Sequence, residues 1–300
     1  MKRLLLFACA CGFIATPAAQ EPDAKPNFSS QSELVVLHVA VKDKKGGYVG
    51  GLAQDSFTVL EDRRRQEISF FNNQDAPVTV GLLIDASGSM APNRDMVIAA
   101  SMAFAKAMNT QDEFFVLGFN EDIHAPLPAD KPFTNFEPTL RVALVQAIKA
   151  RGQTAIYDAL NAGLEYVQKG GFERQVLIVL SDGGDNASAQ TLEGVTEHAR
   201  RSGAPIYVVT LFDPDNHDAR PRALRKLAHE TGGDAFTPRS SSDVMDSFTQ
   251  IARELRSAYT IGFVPPDTAE RSFRSIRVVA DAGEGRQLIA RTRAGYYARP

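Results

Sequence analysis

The sequence predicts an α/β protein. A doubly wound, mostly parallel sheet carries helices on both faces, and N- and C-terminal strands add a small β-sandwich. Three observations lead there. Between Pro77 and Ser257, near-continuous apolar runs alternate with segments of helical period, as expected of parallel strands covered on both faces. Residues 33–75 and 257–300 instead hold short Val- and aromatic-rich runs parted by Gly or charged turns, the pattern of antiparallel strands. Neither set of strands has partners of its own. The simplest arrangement joins them in one sandwich with the α/β domain inserted between, giving segments 33–76, 77–258 and 259–300.

The first twenty residues stand apart. Met1-Lys2-Arg3 is basic, LLLFACACGFIA is apolar, and TPAAQ supplies small residues. That order is the three-part pattern of a cleaved secretory signal, too short to remain as a spanning helix. Cleavage near Ala19 is expected, with export to the periplasm or the medium. The competing lipoprotein reading, through Cys9 or Cys11, leaves a very short apolar region before the cysteine. Residues 21–32 read as a flexible, Pro- and Ser-containing leader. Cleavage removes both cysteines, and with them any disulfide, thiolate nucleophile or Cys-ligated zinc. Without Lys2 and Arg3 the 33 basic residues fall to 31 against 36 acidic ones, a formal net charge of −5. Nothing in that balance invites nucleic acid. No later run is long and apolar enough for a membrane anchor.

The β segments before the domain are 33–43, 56–62 and 63–73. Inside it, strands are predicted at 78–85, 113–120, 123–129 (an edge strand containing Pro), 175–181, 205–212 and 234–238. Helices are predicted at 92–109, 136–151, 155–169, 189–202, 221–231 and 241–258. The C-terminal segment holds three more strand-like stretches, AYTIGFVPP, RSFRSIRVVA and RQLIARTRAGYYA.

Two apolar strands end in a carboxylate: VTVGLLID at Asp85 and QVLIVLSD at Asp182. Ligands of open α/β sheets gather outside the carboxyl ends of strands, where strand order reverses. Adjacent strands would bring both carboxylates into one crevice. Asp85-Ala-Ser87-Gly-Ser89 can turn one acidic and two hydroxyl oxygens inward, and Gly152-Gln153-Thr154 can add a third hydroxyl. Five hard oxygen donors with two charges suit Mg²⁺, and Mn²⁺ or Ca²⁺ by the same chemistry. So few charges leave the ion electrophilic toward an acidic ligand. The bland reading keeps the fold without the metal: Asp85 caps its turn and the serines bond locally. It has no need for all five oxygens at once.

The set Asp85-x-Ser87-x-Ser89, Thr154 and Asp182-Gly183 resembles the metal-ion-dependent adhesion site (MIDAS) of von Willebrand factor A (VWA) domains. The resemblance covers about 180 residues. It implies that these five side chains bind Mg²⁺ directly or through water, and that an acidic residue of a partner protein completes the coordination. The flanks GL-x-x-DSF-x-V-x-ED, Q-x-I-x-FF, LAHETGG and RTRAGYYA resemble the exported bacterial VWFA-related family of acidobacterial type. Arg63-Arg64-Arg65 departs from that family's Gly-containing turn.

Other candidates carry less. Asp213, Asp215 and Asp218 form either a second weak cation site or a solvated turn. Asp185 and Asn186 either orient the third metal loop or merely occupy it, and Asp158 reads as a helix-surface or N-terminal charge. Seven arginines (271, 274, 277, 286, 291, 293 and 299) face two acids in the last thirty residues; a solvated strand face that guards exposed edges is expected. One member of each pair Phe70/Phe71 and Tyr296/Tyr297 should enter a core. No H-E-x-x-H, G-x-x-x-x-G-K-[ST] or G-x-S-x-G is present, and the five histidines show no ligand spacing. The expected protein is therefore no enzyme but an exported, Mg²⁺-dependent binder of an unidentified protein that presents an Asp or Glu. A scaffold with a purely structural metal, and a metal-assisted hydrolase, are the alternatives.

Overall fold

The computed structural model of the chain describes residues 34–149, 151–182, 184–211, 221–266, 272–283 and 287–298. The signal and leader, Asp213, Asp215 and Asp218, and Arg271, Arg286 and Arg299 lie outside the described residues.

The β ends come first in the chain. Strands β1 (Val35–Asp43), β2 (Phe57–Glu61), β3 (Arg64–Gln66) and β4 (Ile68–Asn72) precede the α/β domain. In that domain β5 (Val78–Asp85) leads to α1 (Arg94–Ala107), β6 (Glu113–Phe119), β7 (Ile123–His124), α2 (Glu137–Ala147) and α3 (Ile156–Val167). There follow β8 (Arg174–Ser181), α4 (Leu192–Ser202), β9 (Ile206–Thr210), α5 (Pro221–Thr231), β10 (Ala235–Phe236) and α6 (Ser241–Ser257). Strands β11 (Tyr259–Phe263), β12 (Phe273–Ala280), β13 (Leu288–Arg291) and β14 (Gly295–Tyr297) close the chain.

The central sheet runs β10-β9-β8-β5-β6-β7, parallel except for the short edge strand β7. Every residue of β5 is buried, which explains its unbroken apolar run: a central parallel strand meets helices on both sides. Helices α1, α2 and α6 cover one face through Phe104, Leu144 and Phe248. Helices α3, α4 and α5 cover the other through Leu160, Val195 and Leu227. Gly118 is dictated by one close approach, since a Cβ there would lie 2.2 Å from the Ala147 carbonyl oxygen. That contact seats the end of α2 against β6.

The remaining strands form two antiparallel sheets, β13-β1-β11-β4 and β14-β12-β2-β3. N- and C-terminal strands interleave in both, with β1 between β13 and β11 and β12 beside β2. The alternating burial of β2 and β12 sends Phe57, Val59, Ile276 and Val278 inward, onto Leu37, Val39, Tyr259 and Phe263. Phe71 packs on Phe57 and Tyr259, while Phe70 is 44% exposed. Among the described residues no helix is long and apolar enough to cross a membrane.

The structure corrects several expectations. Residues 63–73 are not one strand: β3 and β4 join different sheets, with the change at Glu67. The stretch RQLIARTRAGYYA likewise divides into β13 and β14 on opposite sheets. A chain crossing between layers keeps its β propensity, so pattern alone does not reveal the break. The edge strand predicted at 123–129 shrinks to Ile123–His124, its prolines removing ladder donors. The arginine run opens a two-residue hairpin turn, with Asp62 at φ 46° and Arg63 at φ 67°. Such left-handed backbone usually takes Gly; here Asp62 is held by Ser275, whose N–H and hydroxyl both donate to its carboxylate at 2.9 Å.

The C-terminal arginines are not all solvated. Arg274 is buried against Glu61, and Arg291 joins Glu254 and Asp234. Arg274 ties β12 to β2 within one sheet, and Arg291 ties the sandwich to the α/β domain.

Candidate metal centre

Strands β5 and β8 are neighbours, and the chain leaves β5 toward β6 on one side and returns to β8 on the other. Asp85 ends β5 and Asp182 follows β8, so both carboxylates stand at the reversal of strand order. The turn after β5 is set by Asp85 itself: its Oδ1 accepts the Ser87 N–H at 2.8 Å, the local bond that favours Asp in turns. Ser87 and Ser89 are thereby folded back, their hydroxyls 3.1 Å apart. Ser89 Oγ donates to Asp182 Oδ2 at 2.5 Å. Asp85 Oδ2 accepts from Ser181 Oγ at 2.6 Å.

The loop before α3 brings Thr154. Gly152 adopts φ 75°, and its carbonyl accepts the Gly88 N–H at 3.2 Å. The Arg151 N–H donates to the Ala86 carbonyl at 2.9 Å, a second tie between the first two loops. Asn186 grips Thr154 from the third loop, its Oδ1 taking the Thr154 N–H and its N–H donating to the Thr154 carbonyl. Helix α3 is preceded in the cap position by Ala155, which has no side chain able to cap it. The cap comes instead from the third loop: Asp185 accepts the Ile156 N–H, and Ser188 Oγ accepts those of Tyr157 and Asp158. Asp158 returns the favour by accepting the Ala189 and Gln190 N–H groups. All three loops are tied to one another by protein hydrogen bonds alone.

Charge is the unusual feature. Asp85 is fully buried and Asp182 is 4% exposed, yet among the described residues neither has a basic side chain within 4.0 Å. Burial pushes the Asp85 carboxyl up to about 6, against hydrogen bonds from Ser181 and Ser87 that lower it, and the Asp182 charge adds to the rise. Thr154 is 5% exposed, and its hydroxyl makes no hydrogen bond among the described residues. Two buried carboxylates without a counter-ion, converging hydroxyls and one unused hydroxyl are the donor set a hard divalent cation takes. The residues fit the ion.

All five sequence-predicted positions thus lie on three tied loops at the carboxyl end of the central strands. Asp85, Ser87, Ser89 and Asp182 are linked by direct hydrogen bonds or contacts through one another; Thr154 joins them through backbone bonds. Asp185 and Asn186 orient the loops rather than merely occupying them, and Asp158 is a loop clamp, not a free surface charge. Sequence reasoning missed Ser181 and Ser188. Ser181 had a signal, since it precedes Asp182 at a strand end; Ser188 had none, because it caps a helix about thirty residues earlier in the chain. Among the described residues no three His, Cys, Asp or Glu side chains cluster as a metal site. Beside the first loop a cleft of about 220 Å³ is lined by Asn120, Asp122, His124, Lys149 and Arg151.

The fold and this site define a class of protein. The family model of the von Willebrand factor type A domain matches residues 80–251, and the chain belongs to that family. Among solved structures, a von Willebrand factor type A protein from Catenulispora acidiphila is similar at 15% identity, TM-score 0.51, covering 90% of this chain and 75% of that one. The PilB minor pilin from Streptococcus sanguinis is similar at 14% identity, TM-score 0.51, over 62% and 63% of the two chains. The proximal thread matrix protein 1 of the mussel byssus, with a zinc-occupied MIDAS motif, is similar at 18% identity, TM-score 0.50, over 66% and 50%. The chain spans 63% and 49% of the lengths of the pilin and byssus structures it first matches. No curated protein matches it.

Proposed function

We propose that this VWA domain is a cation-dependent protein-binding module of an exported protein. Asp85, Ser87, Ser89, Thr154 and Asp182 would hold one divalent cation, Mg²⁺ by preference. When bound, the ion supplies an electrophilic centre to which an Asp or Glu of a partner protein can bind. The observation that carries this reading is the pair of buried carboxylates with no protein cation beside them. Two carboxylates only balance a divalent ion, so it keeps affinity for one more anion. The cleft beside the first loop carries Lys149 and Arg151, which would favour an acidic surface around the contact residue.

A scaffold with a purely structural metal is supported less, because the three loops are already fastened by hydrogen bonds that need no ion. Hydrolysis is supported less still. Glu121, on an adjoining loop, accepts the Gln153 N–H, and backbone hydrogen bonds hold its carboxyl below the ordinary range. That is the wrong direction for a general base.

Capture of a partner from the native envelope fraction on immobilised protein tests the proposal. The expected capture requires Mg²⁺, is released by EDTA, and is lost in Asp85→Ala while the far-UV spectrum is kept. Capture that survives both treatments would contradict it and favour the scaffold. Turnover of a phosphoester would favour the hydrolase.

A further inference from the structure

One carboxylate on a metal covers little surface, whereas a stable protein complex buries about 800 Å² on each partner and draws its affinity from apolar anchors. Helix α2, beside the metal loops, offers such anchors. Its core side packs through Leu140, Ala143, Leu144 and Ala147. Its solvent side presents Val142 and Val145, 55% and 43% exposed, with Arg141 and Gln146 beside them. Residues three apart on a helix are surface neighbours, so the two valines form one patch. A surface helix ordinarily sets charged or polar residues opposite its core face. Helix α5, of the same length, does so: it buries Leu224, Leu227 and Ala228 and exposes Arg222, Arg225, Lys226 and His229. The outer side of α2 departs from that rule, as an interaction surface does.

The position of that side ties it to the metal loops. Ala147 ends α2 against Gly118 of β6, and a short run then reaches Thr154. Lys149 and Arg151 on that run line the cleft of about 220 Å³, together with Ile123 of β7, which is 41% exposed. The bond from the Arg151 N–H to the Ala86 carbonyl sets the cleft against the first metal loop. Charge gives the surface its sign. Lys106 pairs with Glu137, whereas Arg141, Lys149 and Arg151 have no ion-pair partner among the described residues. Asp122 is the one acid lining the cleft. Apolar and basic groups thus run from α2 to the metal site, which suits a partner that is both apolar and acidic.

We propose that the partner whose acidic residue reaches the metal also lays an apolar segment along α2. Val142 and Val145 are its anchors, and further acidic side chains of that segment face Arg141 and Lys149. This contact rests on the metal-bridged reading above and adds a second half to the partner's footprint. The apolar contact holds the segment, while the cations speed its approach and fix its register.

Random peptides displayed on phage, selected on the immobilised mature chain in Mg²⁺ and eluted with EDTA, supply the probe. Calorimetric titration establishes Mg²⁺ binding first. The eluted peptides are expected to combine an Asp or Glu with neighbouring apolar residues. Their synthetic forms should bind Val142→Gln/Val145→Gln at least about tenfold more weakly than the wild type. Arg141→Gln should weaken them about threefold, as loss of an exposed ion pair does. All three side chains are exposed, so Mg²⁺ affinity and melting temperature should be kept. Val279→Gln, exposed on β12, should bind the peptides as the wild type does. The proposal fails if the eluted peptides bind Val142→Gln/Val145→Gln as tightly as the wild type, or if EDTA elutes none although Mg²⁺ binds. It also fails if the wild type forms a dimer, or binds phosphatidylglycerol vesicles, in a way that the double variant loses; a second copy or a bilayer would then cover α2. Absence of Mg²⁺ binding would instead sink the metal-bridged reading, and this contact with it.

Discussion

The two ends of the central sheet treat buried carboxylates in opposite ways. At the amino end, Glu254 accepts hydrogen bonds from the Tyr48 and Tyr207 hydroxyls at 2.7 and 2.6 Å and pairs with Arg291. Asp112 there takes Arg256 at 3.1 Å together with the Val78 N–H. At the carboxyl end, Asp85 and Asp182 have only hydroxyl and backbone donors among the described residues. All four are buried carboxylates, and the counter-charge is what differs. Glu254, which finds its cation on β13, is part of the joint between domains, and Asp112 finds its own within the α/β domain. A buried carboxylate denied such a cation is, on the proposed reading, left free to take one from outside.

Breaking the paired end should have the largest effect. Glu254→Ala leaves Arg291 and two tyrosines without their acceptor in a buried joint, and should cost about 3–5 kcal/mol of stability. Urea unfolding measures that loss, while Mg²⁺ affinity of the folded fraction should not change. A matching loss of metal affinity would show that the two ends are not independent.

At the unpaired end, Ser181→Ala removes the hydroxyl that steadies Asp85 Oδ2. It should weaken Mg²⁺ binding by about 10- to 100-fold, as loss of a supporting partner does at metal sites, with little change in melting temperature. Calorimetric titration with Mg²⁺ distinguishes this from an unchanged affinity, which would mean that Asp85 is held well enough by Ser87 alone.

The effect that is smallest near neutral pH sharpens the comparison through titration. Burial pushes the His38 imidazole down to about 3, with Arg174 and Arg293 adding to the fall. The unfolded chain takes up this proton near 6.5 and the folded chain does not. Stability is therefore full above about 6.5 and lost as pH falls toward 3, by about 1.4 kcal/mol per unit. Carboxylates titrate in the same window, so the test is the difference between wild type and His38→Gln. Their unfolding free energies should converge by that slope on acidification; parallel curves would place His38 in water.

Much of this was legible in the sequence because it rests on local pattern. VTVGLLID and QVLIVLSD announce strands buried on both faces, and a carboxylate at such an end is conspicuous. The spacing of Asp85, Ser87 and Ser89 follows from one turn. Non-local features were not legible. The sheet change at Glu67 and the division of residues 287–298 depend on which layer each strand pairs with, not on its composition. Arg274 and Arg291 looked like surface residues because their acids, Glu61 and Glu254, lie 213 and 37 residues away. Ser188 caps α3 from a different loop, a role that spacing along the chain does not show.

The central claim is that the two unpaired carboxylates, Asp85 and Asp182, exist to hold a divalent cation. Calorimetric titration of Mg²⁺ into EDTA-stripped, dialysed protein tests it most directly, with Asp85→Ala as the comparison. The account predicts one saturable site in the wild type and an affinity lower by more than about 100-fold in the variant, beyond the loss of a mere supporting bond. Saturable Mg²⁺ binding of equal strength in both proteins, or none in the wild type, would contradict it.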